Sequence, residues 1–180
     1  MQSEDPEKQQ QKIGSSMIMA MWILLMLLLG YMFNYILHQQ HNPNQKLQTL
    51  NPTTGVTEIT LKRNRYGHYV SPGQINSHPV TFMLDTGATD VSIPAVIARK
   101  IGLQQGRELI YQTANGHARV YATKIDEVAL GGIKLNNIRA TINPNVTDND
   151  ILLGMSFLKH LEFTQRGDRL TLRQYSDNYE

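Results

Sequence analysis

The sequence predicts an all-β domain, a sandwich or closed barrel, carried behind one membrane-spanning α-helix. Three observations lead there. An apolar run fills residues 17–37 and holds five of the eight Met and the only Trp. From Gly55 onward, short runs of alternating apolar and polar residues recur between turn residues, the period of half-buried strands. Beyond the first fifty residues about 130 remain, room for one domain and too little for two. Without residues 17–37 the apolar fraction falls from 41% to about 35%, ordinary for a water-soluble domain.

Composition excludes several classes. With no Cys in the chain, a disulfide-stapled fold and a Cys-based zinc site are ruled out. The net charge is only +2, with Lys and Arg scattered among Asp and Glu, so no nucleic-acid partner is expected. No metal or other cofactor is expected either.

In chain order, residues 1–16 read as a short tail. Residues 17–37, at about 1.5 Å per residue, make a helix of roughly 31 Å, the thickness of a bilayer core. Tyr31 and Tyr35 lie toward its end, where aromatic belts occur. The competing reading, a cleaved signal peptide, lacks a small-x-small site after the apolar run, so an uncleaved anchor in the lipid bilayer is expected. Lys8 and Lys12 precede the run, and the next basic residue is Lys46. That asymmetry predicts a cytoplasmic N-terminus and an exported C-terminal domain, periplasmic in a bacterium with its anchor in the inner membrane. Residues 38–54 are rich in Gln, Asn and Pro and read as a polar linker. His38 and His41 in it have no third ligand nearby.

Residues 55–175 form the expected domain, with 176–180 a tail. Strands are predicted over 56–61 and 80–84, the latter placing Val80, Phe82 and Leu84 on one face. Two more, 108–113 and 118–125, flank Asn115-Gly116, a strong hairpin signal. Shorter runs stand at 128–130, 138–142, 151–153 and 170–172. A helix is predicted over 94–102, with Pro at its start and Gly at its end. A second short helix comes after Gly154.

The chemistry concentrates at Leu84-Asp85-Thr86-Gly87-Ala88-Thr89-Asp90, directly after an apolar strand. Alone, Asp-Thr-Gly is weak, expected by chance in about 2% of chains this long, and an ordinary turn explains it. Context adds weight. The Asn-Gly hairpin comes next, and then Ile151-Leu152-Leu153-Gly154-Met155-Ser156-Phe157-Leu158, an apolar strand ending in Gly before a short helix. This order, over residues 55–173, resembles the retropepsin-like aspartic proteases, in particular bacterial, single-pass, membrane-anchored members.

The resemblance implies one half of a closed β-barrel with a flap hairpin and a short C-terminal helix. It implies an endopeptidase acting on protein or peptide substrates. Asp85 would be catalytic, with Thr86, Gly87 and Ala88 supporting its loop and Asn115 and Gly116 forming the flap tip. Thr86 would bond across to a partner's loop, and Leu152-Leu153-Gly154 would pack beneath the catalytic loop. Viral members carry an Arg after that Gly, where this chain has Met155, which puts their charge network in doubt here.

The chemistry itself can be rebuilt from the residues. Hydrolysis without metal or nucleophilic side chain needs an activated water, and two close carboxylates sharing a proton supply base and acid together. Only one Asp-Thr-Gly is present. The second Asp85 is therefore expected from another copy in a homodimer. The alternative is a non-catalytic peptide-binding or scaffolding domain on the same fold. Asp90 is read either as a substrate-backbone contact or as a cap before the helix at Pro94. His68, His78, His117 and His160 read as structural or surface residues, and Asn145-Val146-Thr147 as a chance sequon.

Overall fold

A computed structural model describes residues 6–51, 55–113 and 116–176. The chain divides into two compact units, Met1–Gln40 and His41–Glu180.

The first unit is the long helix α1 (Pro6–His41). Within it Ser16–His41 is long and apolar enough to cross a membrane. Its side chains are uncovered, Trp22 at 53% and Leu24 at 70% exposure. The helix outruns the predicted 17–37 because Gln and Lys on its flanks are good helix formers.

The second unit is built almost wholly of strands. In order come β1 (Thr49–Leu50), β2 (Val56–Lys62), β3 (Tyr69–Ile75), β4 (His78–Leu84), β5 (Val91–Pro94) and α2 (Ala95–Lys100). Next are β6 (Glu108–Thr113), β7 (Gly116–Leu130), β8 (Ile133–Asn143), β9 (Asp150–Leu153), α3 (Met155–Leu158), β10 (Glu162–Arg166) and β11 (Arg169–Tyr175). One sheet runs β3-β4-β9-β5-β8-β7-β6, and a further β3–β7 pairing, Ile75 beside Val128, closes it on itself. The second sheet runs β1-β2-β11-β10. Alternation puts Ile59 and Leu61 of β2, Phe82 of β4, Ile93 of β5, Ile151 and Leu153 of β9 and Leu172 of β11 into a single core, each fully buried. The predicted β fold behind an apolar helix is thus what forms.

Several details correct the expectation. The runs at 118–125 and 128–130 are one strand, β7, and the run at 138–142 is the end of β8. Strand β3 went unpredicted because Pro72 and Gly73 interrupt it, residues that ordinarily argue against a strand interior. Gly73 is there for packing: a Cβ would come within 2.6 Å of the Ala129 carbonyl oxygen. The β3–β4 hairpin turns through Asn76 and Ser77, both at positive φ, as a two-residue turn requires. The stretch expected as a polar linker over 38–54 is not one throughout. Asn42 and Asn44 are buried. Asn44 Nδ2 donates to the carbonyls of Lys62 and Val70 at 2.9 and 2.7 Å, and its Oδ1 accepts from Lys62 N at 2.6 Å. Thr49 and Leu50 pair with β2. Polar side chains that satisfy backbone groups in this way carry no apolar period, so the docking left no mark in the hydropathy pattern.

Candidate active site

Asp85 stands where β4 ends. Its loop is held by a strand arriving from far along the chain. Strand β9 runs parallel to β4, with Leu84 beside Leu153, and meets β5 antiparallel at Ser92 and Leu152. It therefore lies between the strand that enters the loop and the strand that leaves it. Asp85 N donates to Leu153 O at 3.2 Å, Met155 N to Ala88 O at 2.8 Å and Ser156 N to Thr89 O at 2.9 Å. The backbones approach so closely that only Gly serves at 154, since a Cβ there would fall on Asp90 O and within 2.6 Å of Ala88 O.

Within the loop, Gly87 N donates to Asp85 Oδ1 at 2.9 Å. That bond orients the carboxylate. A Cβ on Gly87 would crowd the same oxygen at 3.2 Å. Asp85 is half-buried, Thr86 and Gly87 are exposed and Ala88 is half-buried. Asp85 and Thr86 open into a cavity of about 360 Å³ with Leu84, Leu158, Phe163 and Leu172.

Gly116 opens β7 in the β6–β7 hairpin at φ +100 with no neighbour within 4 Å of a Cβ position. Glycine is required there by conformation and not by space. Asn115, the other expected tip residue, lies outside the described residues. His117 is exposed.

Asp90 is not a cap for α2, whose N-terminus at Pro94 has no side-chain cap bond. Its side chain is 1% exposed, and Arg139 Nε of β8 donates to its Oδ1 at 2.6 Å. The Tyr111 hydroxyl of β6 donates to Oδ2. Burial first, and then this bond to Asp90, push the Tyr111 phenol up to about 12. The same carboxylate raises Arg139 further above its ordinary value. Arg139 thus supplies, from within the chain, a cation beside the loop that the Met after Gly154 does not. Ser156 completes the brace: its Oγ accepts from Val91 N at 3.0 Å and donates to Arg139 O at 2.7 Å. Among the described residues no group of three His, Asp or Glu side chains converges to hold a metal ion.

Residues 71–160, half of the chain, match the family described as "gag-polyprotein putative aspartyl protease". The chain belongs to the retropepsin-like aspartic protease family. A crystal structure of a retropepsin-like aspartic protease from Rickettsia conorii is 31% identical, with a TM-score of 0.58, over 73% of this chain and 97% of that one. An uncharacterized protein of a Sinorhizobium species is 30% identical over 86% of this chain and 71% of its own length. One from Rickettsia prowazekii is 30% identical over 80% of this chain, which spans 64% of that relative's length. The Asp85 loop, the hairpin after it and the Leu152-Leu153-Gly154 strand all fall inside the retropepsin-like match.

Residues that sequence reasoning missed are Tyr111, Arg139 and Ser156. Ser156 had a signal, since it stands two residues past the Gly that touches the loop. Tyr111 and Arg139 had none, as they reach Asp90 from strands set 21 and 49 residues away.

Proposed function

We propose that this chain is a membrane-anchored aspartic endopeptidase in which two copies of Asp85, one from each chain of a homodimer, activate the hydrolytic water. The observation that carries the reading is the Asp85 loop, a carboxylate half open to solvent, oriented by Gly87 N and fastened from below by Leu153, Met155 and Ser156. A loop this tightly tied suits a group that must meet its twin at close range. Two carboxylates at that distance hold one proton between them and titrate as a unit. The ionised one takes a proton from water as the water oxygen attacks the peptide carbonyl carbon. The protonated one donates to the carbonyl oxygen. Collapse of the resulting diol breaks the C–N bond, with a proton passing to the leaving amine. Thr86, Gly87 and Ala88 keep the loop in shape. The hairpin bearing Asn115 and Gly116 closes over substrate. Residues 17–37 form the anchor, with the N-terminus cytoplasmic and the proteolytic domain, assigned to 55–175, on the periplasmic side of the inner membrane.

The test is cleavage of a mixed peptide library by the full chain in detergent, beside Asp85→Asn. The substitution keeps the side chain's shape and removes the ionisable group, so turnover should vanish while the fold remains. In an equimolar, fully exchanged mixture of the two chains, about one quarter of dimers keep both aspartates by pairing statistics. Activity should fall to that level. A fall to one half would mean each chain works alone and would sink the two-copy site.

A further inference from the structure

The end of β2 and the loop that leads to β3 read Lys62-Arg63-Asn64-Arg65-Tyr66-Gly67-His68. Asn64 organises this loop. It is buried, and its Oδ1 accepts from Tyr66 N and His68 N, each at 2.9 Å. Gly67 takes φ +91 to close the turn. An Asn that satisfies its own loop's backbone lets its neighbours' side chains turn outward. Lys62, Arg63, Arg65, Tyr66 and His68 are all exposed, Tyr66 at 61%. The Arg65 guanidinium lies 5.2 Å from the Tyr66 ring centroid, a cation–π contact that keeps charge and ring together.

Strand pairing brings more cations to the same end of the sheet. Arg63 N donates to Asp168 O at 2.7 Å, which ties the loop to the β10–β11 turn. Lys62 pairs with Arg169, and Arg169 with Arg166. The three stand in a row across β2, β11 and β10. Like charges directly opposite each other destabilise a sheet, and among the described residues no ion pair relieves these three. Asp168 is the one carboxylate in residues 62–68 and 166–169. The surface as a whole attracts anions.

Its place in the chain says which anions. Asn64 Nδ2 donates to His41 O at 3.0 Å, and Lys62 N to Asn44 Oδ1 at 2.6 Å. His41 is the last residue of α1. With residues 17–37 in the hydrocarbon core, residues 38–41 rise about 6 Å further, the depth of a headgroup layer. The basic loop is one hydrogen bond from a residue at that level. A soluble acidic partner would have to be brought to this end of the domain, whereas phospholipid phosphates are already there. Tyr66 among cations also suits a membrane–water boundary, where a ring with a polar tip is at home.

We propose that the β2–β3 loop and the β10–β11 turn dock on anionic phospholipid headgroups. The domain then meets the membrane twice, through its helix and through this surface, and the second contact fixes its tilt over the bilayer. The proposal rests on the membrane anchor proposed above.

A chain without Cys allows one introduced residue to carry one label. Full-length His68→Cys bearing a fluorophore is reconstituted into vesicles of phosphatidylcholine alone and of an equal mixture with phosphatidylglycerol, both holding a headgroup-borne quencher. Quenching at 68 should be several-fold greater in the anionic vesicles, and added salt should reverse the gain. The same label at Val96→Cys, exposed on α2, should show no such difference. Arg63→Gln and Arg169→Gln should each lower the ratio of docked to undocked loops about fivefold. Arg63→Glu with Arg169→Glu should abolish the gain. A gain that ignores these substitutions overturns the assignment to this surface. A chain that resists carbonate extraction but is quenched equally at 68 in both lipids overturns the docking, leaves the cations to a soluble acidic partner and keeps the anchor. A chain that carbonate strips from both vesicles overturns the anchor and the docking with it.

Discussion

Tyr111 donates its hydroxyl to a carboxylate that also accepts from Arg139, and the carboxylate is almost wholly removed from water. Replacing Tyr111 by Phe deletes a hydrogen bond to a charged group, a loss of about 1.5 kcal/mol of stability. That loss depends on pH. The folded phenol titrates at about 12 against an ordinary 10.0, so the folded state holds its proton more tightly than the unfolded state does. The stabilisation is complete below pH 10 and fades as pH rises toward 12. Urea unfolding midpoints of the parent chain and Tyr111→Phe should therefore differ at pH 9 and converge between pH 10 and 12. A gap constant across that window would contradict the assignment. None of this could be read along the chain, because a buried Asp signals nothing locally about partners on two other strands. Asp85 is the opposite case: its neighbours in space, Gly87 and Ala88, are its neighbours in sequence, so the loop was legible as a motif.

At the scale of elements, β9 and the β6–β7 hairpin make separable predictions. Gly154→Ala drives a methyl group into the carbonyls of Asp90 and Ala88. Backbone has to move, and stability should fall by on the order of 3 kcal/mol, with thermal unfolding as the measurement. An unchanged Tm would refute the close approach. Gly116→Val has open space but the wrong backbone conformation, φ +100. In the proposed enzyme it should lower turnover well beyond its effect on Tm, and unchanged turnover in a folded protein would remove the hairpin from the mechanism. Strands with alternating apolar residues, such as β2 and β4, were visible in the sequence. β10 was not, because Glu-Phe-Thr-Gln-Arg holds a single apolar residue and lies on an open edge. The periodicity argument needs a buried face, and β10 has none within its own chain.

For the whole molecule, the proposed topology is testable through its charge asymmetry. Lys8 and Lys12 stand before the apolar run, and Lys46 is the first basic residue beyond it. A reporter fused after residue 50 should be active only when it is a type that works outside the cytoplasm; activity of a cytoplasm-only reporter at that point would reverse the orientation. The threading of β9 between β4 and β5 also has a consequence in time. The Asp85 loop is complete only once Ser156 is in place, 71 residues further along the chain. At roughly 5–20 residues per second a ribosome needs about 4–14 s to supply them. For that interval Asp85 has been made but its loop lacks the strand that braces it. A nascent chain thus emerges with the Asp85 loop unassembled, and order at that loop arrives with nearly the last part of the domain.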